Sequence, residues 1–288
     1  MVEEIMRSGF GSMNYVLQDN DFSYAVFRVQ KGWSFDRSFF IVKSVICRYS
    51  IHVLRTYTAQ IQNFVFDEIS LDEGMMIAIC DYDAGNIMSV QKACAFLGHD
   101  YVLTRDRKTI LSADHVILPG VGAFGDAMNR LDSYGLSDVL REVADQGTPL
   151  LGICLGLQLL FERSDESPGA CGLGLLPGAI VRIPDQDGKL KIPHMGWNSL
   201  SLPVKSRLFE GIPEGTQVYF VHSFYLPCPS VQAQNPEPEY HVTAVADYGV
   251  PIGASVERKN VVACQFHPEK SGRWGLQILD NFLRNFTG

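Results

Sequence analysis

Cys154 stands between Gly152 and Gly156 in the stretch Gly152-Ile153-Cys154-Leu155-Gly156. An apolar strand-like run, Pro149-Leu150-Leu151, precedes it, and a helix-like stretch, Leu157 to Glu162, follows. Glycines two residues to either side of one nucleophile form the nucleophile-elbow pattern, here with Cys in place of Ser. A side chain at the tip of a sharp strand-to-helix turn sits in strained backbone, and flanking glycines let the chain pack closely enough to form it. The helix that follows offers free N–H groups and partial positive charge, which favour a thiolate. The pentapeptide alone supports a second reading, a buried cysteine in an apolar core strand.

A cysteine nucleophile needs a base, and the base needs an orienting partner. Gln265-Phe266-His267-Pro268-Glu269 supplies both after the apolar run Val261-Val262-Ala263-Cys264. Pro268 biases His267 to extended backbone. In an extended chain His267 and Glu269 point to one side, so Glu269 can hold the imidazole in one tautomer. In isolation, the same tripeptide also reads as a solvated surface loop. Oxyanion donors are expected from the Leu155 amide and from Val121 or Gly122 in the loop Pro119-Gly120-Val121-Gly122. That loop is otherwise a tight strand-ending turn, and its glycines permit a peptide flip that would switch the oxyanion hole. Of the other histidines, His194 and His222 lie near aromatic residues, while His52, His99, His115 and His241 read as surface or core.

The elements that must position these groups follow from the apolar pattern. Ile77–Cys80, Tyr101–Leu103, His115–Leu118 and Pro149–Ile153 read as strands; Ser89–Leu97 and Leu136–Asp145 read as helices. This alternation predicts an α/β fold with an open, mostly parallel twisted sheet and helices on both faces. Functional groups then gather outside the carboxyl ends of the strands. From Gly172 onward Pro and Gly punctuate shorter strands: Ala179–Ile183, Gln217–Val221, His241–Ala246 and Val261–Phe266. They predict a more antiparallel extension of the same sheet in the C-terminal half. A helix over Trp274–Phe286 closes the chain.

The 288 residues carry a formal net charge of -8, which argues against a nucleic-acid binder. Seven scattered cysteines without a paired Cys-x-x-Cys motif suit a reducing, cytoplasmic compartment. No Cys/His spacing suggests a metal site, and no apolar run approaches the roughly 18 residues of a membrane span. Residues 1–74 show no sustained period and no secretory h-region. They are expected to be an N-terminal extension, weakly structured or a mis-called start, ahead of a functional domain over 75–288. The rival is a small appended domain, because Ile51–Val65 is rich enough in β-branched and apolar residues to form strands.

Taken together, Gly152–Gln158 and His267-Pro268-Glu269 resemble the class I, triad-type glutamine amidotransferases. Ile77–Tyr82 with Gly85-Asn86, Pro193-His194-Met195-Gly196-Trp197-Asn198, Tyr219–Phe224 and Gln265–Ser271 resemble one branch, the glutaminase subunits of imidazole glycerol phosphate synthases. The resemblance covers Met76 to Gly288. It implies Cys154 as nucleophile, His267 as acid/base and Glu269 as its orienter. It further implies that Gln158, Gly122 and the backbone around Ser223 and Phe224 hold L-glutamine. Asn86, Trp197, Tyr219 and Lys270 match positions that face the synthase subunit. The implied partner is a (β/α)8-barrel cyclase, in a heterodimer. It uses the ammonia to make imidazole glycerol phosphate and an aminoimidazole carboxamide ribotide in histidine biosynthesis. No metal or organic cofactor is implied. Asp83 stands where the family usually has Gly, and Phe224 where Tyr is common. Two alternatives stand beside this reading: a glutaminase of another pathway, and a degenerate subunit with a structural or regulatory role only.

Overall fold

The computed structural model describes residues 75–85, 87–228 and 239–286. The expected extension over residues 1–74, with the boundary it implies, and Asn86 lie outside the described residues. The chain builds a seven-stranded sheet. Its strands are β1 (Met76–Cys80), β2 (Asp100–Thr104), β3 (His115–Gly120), β4 (Leu150–Cys154), β10 (His241–Asp247), β11 (Pro251–Arg258) and β12 (Val261–Cys264). Their order is β10-β11-β12-β4-β3-β1-β2. Neighbours from β12 to β2 run parallel, while β11 is antiparallel to both β12 and β10.

β3, β4 and β12 are buried at every position, as strands covered on both faces must be. β1 shows the period of two: Ala78 and Cys80 enter one core layer, Ile77 and Ile79 the other. The first layer is closed by α2 (Arg107–Leu111), α3 (Phe124–Ser133), α4 (Leu136–Asp145) and α5 (Leu155–Leu159). α1 (Ile87–Phe96) and α6 (Gly272–Asn285) close the second, with Val90, Cys94, Leu279 and Phe282 buried against the sheet. The α/β fold with helices on both faces is thus as expected, and so is an antiparallel extension of the sheet; of its two edge strands β10 was expected and β11 was not.

Not every strand of the C-terminal half joins that sheet. Ala179–Arg182 (β6) pairs with Arg163–Ser164 (β5) and Phe224–Tyr225 (β9) in a separate sheet. Gln217–His222 (β8) pairs with His194–Ser199 (β7) in a ribbon of its own. The reason is in the side chains. β8 alternates buried with half-buried or exposed positions, and β7 is buried only at His194, so each has a wet face and cannot sit between two helical layers. Several elements gave weak sequence signals: α2 is only five residues long, α3 mixes polar and apolar residues, and β7 carries Gly196 and three polar residues. No helix among the described residues is long and apolar enough to cross a membrane.

Candidate active site

Cys154 is the last residue of β4 and immediately precedes α5. Its backbone has φ 56° and ψ −106°, a strained conformation for a residue with a side chain. The flanking glycines allow it. A Cβ on Gly156 would lie 1.9 Å from the Leu118 carbonyl oxygen, and one on Gly152 2.8 Å from the Gly156 carbonyl oxygen. The turn therefore closes against β3 through bare backbone. Leu155 opens α5, where amides lack partners within the helix.

The two strands beside β4 supply the remaining groups. Gly120 of β3 is in register with Cys154, so the Val121-Gly122 segment leaves the sheet next to the sulfur. On the other side Cys264 of β12 is in register with Ile153, and His267 follows three residues later. His267 is extended, as Pro268 requires, but Glu269 is not. Pro268–Lys270 forms a 3-10 turn, closed by the Lys270 amide on the His267 carbonyl at 3.0 Å. Glu269 thus reaches its partner by a turn rather than by strand alternation, because Pro at the first position of a turn favours turning. Its Oε1 lies 2.8 Å from His267 Nδ1, and both side chains are buried. β8 clamps the turn, the His267 amide donating to the Tyr219 carbonyl and the Tyr219 amide to Ser271 Oγ, each at 2.9 Å.

His267 Nε2 is buried and pairs with no nitrogen or oxygen of the protein. Its interaction is with Cys154. Burial opposes charge on the ring, but the Cys154 sulfur and the Glu269 carboxylate outweigh it and raise the imidazole to about 9. At neutral pH His267 therefore carries a proton beside the sulfur. Burial pushes the Cys80 and Cys94 thiols up to about 12 and Cys264 well above its ordinary value.

A cleft of about 360 Å³ opens onto Cys154. Val121, Gly122, Leu155, Gln158, Ser223 and Phe224 all line it, so the residues expected at the oxyanion and substrate positions converge. Gln158 donates from Nε2 to the Phe224 carbonyl at 3.0 Å and to Gln265 Oε1 at 3.1 Å. Gln265, fully buried, turns its own amide nitrogen to Cys154 Sγ at 3.7 Å. Phe224 contributes its carbonyl to this network, so Phe in place of Tyr leaves it intact. Two residues of the site went unread in the sequence. Gln265 had a signal, its place in the motif ending at Glu269. Glu166 had none: it sits in a polar loop and reaches the cleft because the Phe124 amide, opening α3, donates to its carboxylate at 2.8 Å.

Trp197 and Tyr219 are opposite each other on the β7–β8 ribbon, with ring centroids 6.2 Å apart. Trp197 is 55% exposed, and Lys270 is exposed on the turn that β8 clamps. Asp83 adopts φ 60°, the left-handed region that explains a family preference for Gly. Here Arg105 (2.9 Å) and the Tyr134 hydroxyl bond its carboxylate, and Tyr134 and Arg105 hold that group below the usual carboxylate range. His115 is a core residue on the Phe286 carbonyl, and His99 lies 3.8 Å from Asp280. Among the described residues no cluster of His, Cys, Asp and Glu could hold a metal ion.

A thiol beside an imidazole–carboxylate pair, under the first amide of a helix, is equipped for acyl transfer through a thioester. Known proteins resemble this chain in sequence and in fold. A Moorella thermoacetica protein named imidazole glycerol phosphate synthase subunit HisH is 50% identical over 206 residues, spanning 72% of this chain and 93% of its own length. A Bacillus cereus protein of the same name is 51% identical over 207 residues, with the same coverage. Among solved structures, a glutamine amidotransferase superposes with TM-score 0.54 at 19% identity, covering 73% of this chain and 99% of that one. The Thermotoga maritima structure titled PurLQS superposes equally well at 20% identity, covering 74% and 99%. At such identities these two speak for the fold alone. Residues 78–286 match the family described as glutamine amidotransferase class-I, and the chain belongs to that family.

Proposed function

We propose that this chain is the glutamine-hydrolysing subunit of an imidazole glycerol phosphate synthase, acting in histidine biosynthesis with a (β/α)8-barrel cyclase. Cys154 is its nucleophile, and residues 75–288 are its catalytic domain. The observation that carries the reading is the strained Cys154 flanked by the His267–Glu269 pair on one neighbouring strand and the Val121-Gly122 loop on the other. The approximately 50% identity to the HisH proteins supports the choice of pathway.

L-glutamine enters the cleft with its side-chain amide toward Cys154. Glu166 faces the cleft with a carboxylate that suits the substrate's α-ammonium group. The Cys154 thiolate attacks the amide carbon. The negative charge on oxygen meets the Leu155 amide and the Val121-Gly122 backbone. As the carbon–nitrogen bond breaks, the His267 imidazolium gives its proton to the leaving nitrogen, and ammonia departs. Neutral His267 then takes a proton from water, which attacks the thioester. The carbon–sulfur bond breaks, glutamate leaves, and thiolate and imidazolium are restored. Ammonia released into water would be protonated and lost, which gives the ribbon face of Trp197, Tyr219 and Lys270 its purpose as a docking surface for the cyclase.

The test is Cys154→Ala, assayed with the cyclase present. Glutamine-dependent synthesis should vanish while synthesis from added ammonia persists. Equal loss of both would assign Cys154 to structure instead. The wild-type chain alone should hydrolyse glutamine weakly, because a Val121 loop that can flip needs the partner to set it.

A further inference from the structure

Two buried histidines beside the cleft take no part in that reaction. His222 lines the cleft, and its Nδ1 lies 2.9 Å from the Phe224 carbonyl. Its Nε2 lies 3.0 Å from His194 Nδ1. His194 Nε2 lies 3.3 Å from Asn198 Nδ2, which also reaches the Asp247 carbonyl at 2.8 Å. His194 is stacked between Phe220 and Tyr248, with ring centroids at 4.7 and 4.0 Å, so it cannot rotate away. Burial depresses both rings, His222 to about 3 and His194 to about 4, so at neutral pH each carries one N–H and one bare nitrogen.

The protons in this chain have one consistent arrangement. A carbonyl only accepts, so His222 Nδ1 carries hydrogen and its Nε2 is bare. His194 Nδ1 must then be the donor, which leaves His194 Nε2 to accept from the Asn198 amide. The Phe224 carbonyl that starts this sequence also accepts from Gln158, whose second N–H goes to Gln265, whose amide faces the Cys154 sulfur. One carbonyl therefore sets the direction of two chains. One runs to the nucleophile, the other to the β7–β8 ribbon.

We propose that His222 and His194 are positioning residues, a tautomer-fixed pair that holds the Ser223-Phe224 segment in the orientation that receives glutamine. The proposal rests on the reading of this cleft as the glutamine site. Both act through the Phe224 carbonyl. Loss of the His222 donor leaves the Phe224 carbonyl short of one partner and frees the segment to turn, which weakens glutamine binding more than it slows chemistry.

The test has two parts. Nitrogen-15 NMR of the free wild-type chain at pH 7 should show both rings neutral and protonated at Nδ1. A ring protonated at Nε2, or at both nitrogens, overturns the proposal. Glutamine kinetics with the cyclase present then compare two variants that keep a polar side chain. His222→Gln carries its amide at the place of Nε2 and cannot reach the Phe224 carbonyl. It should raise KM about tenfold with kcat changed far less, the effect of one lost neutral hydrogen bond. His222→Asn carries its amide at the place of Nδ1 and should recover most of that loss. Equal behaviour of the two variants, whether both sound or both damaged, overturns the proposal. Should His222→Gln fail to fold, His222→Asn decides alone: a KM close to the wild-type value is expected, and a tenfold rise overturns the proposal. A wild-type pair of subunits that hydrolyses no glutamine would instead overturn the functional reading and leave the tautomer result standing.

Discussion

His267 holds its proton far above the ordinary range of an imidazole, and with His267 as the proposed acid that sets the basic limb of activity. The leaving nitrogen needs the proton, so glutamine turnover should fall as pH rises through about 9, read as a pH profile of kcat with the cyclase saturating. Glu269→Gln removes one of the two groups that raise the ring, so the limb should move to lower pH. Stability follows the same sign: a folded-state pKa raised above the unfolded 6.5 adds stability below 6.5 that is lost through 9. His194 and His222 act in the opposite sense. Their depressed values cost stability as pH drops below 6.5, because the unfolded chain takes up protons the folded one refuses. Chemical denaturation at a series of pH values should therefore show a maximum between these windows. The triad was legible in the sequence because its members sit in short, rigid motifs. Glu166 was not, since only the opening of α3 carries its carboxylate to the cleft.

The strand order brings the proposed catalytic residues together. β4 lies between β3 and β12, so a nucleophile at its end receives a loop from one neighbour and a base from the other. The close approach of α5 to β3 depends on Gly156. Gly156→Ala should destabilise the protein by at least about 2 kcal/mol, because the added methyl would meet the Leu118 carbonyl and the strand cannot retreat. Urea denaturation measures this, and a change under about 0.5 kcal/mol would show that the turn is looser than its geometry. The parallel core strands were legible as continuous apolar runs. β7 was not: its apolar residues Met195 and Trp197 are the exposed ones, its other face carries His194, Gly196 and Asn198, and its partner β8 begins 18 residues after its end, too far for any hairpin signal.

For the whole molecule, the matched region begins at residue 78, and about 206 residues suffice to span 93% of the Moorella relative. A chain truncated to begin at Met76 should therefore fold and, with the cyclase, hydrolyse glutamine at the full-length rate. Loss of the cooperative thermal transition would assign residues 1–75 a part in the fold. The shift from a helical and parallel half to a strand-rich half was legible in the density of Pro and Gly. The splitting of the later strands into three sheets was not, since it depends on which faces are wet.

The β7–β8 ribbon shares no ladder with the central sheet. It holds the His267 turn through the Tyr219 backbone and carries Trp197 on its outer side. Bond breaking and, in our reading, choice of recipient are thus written in separable pieces of chain. A lineage could redirect its nitrogen to a new acceptor by rewriting the ribbon's outward side chains alone, while the inward ones, His194 and His222, stay to serve the cleft.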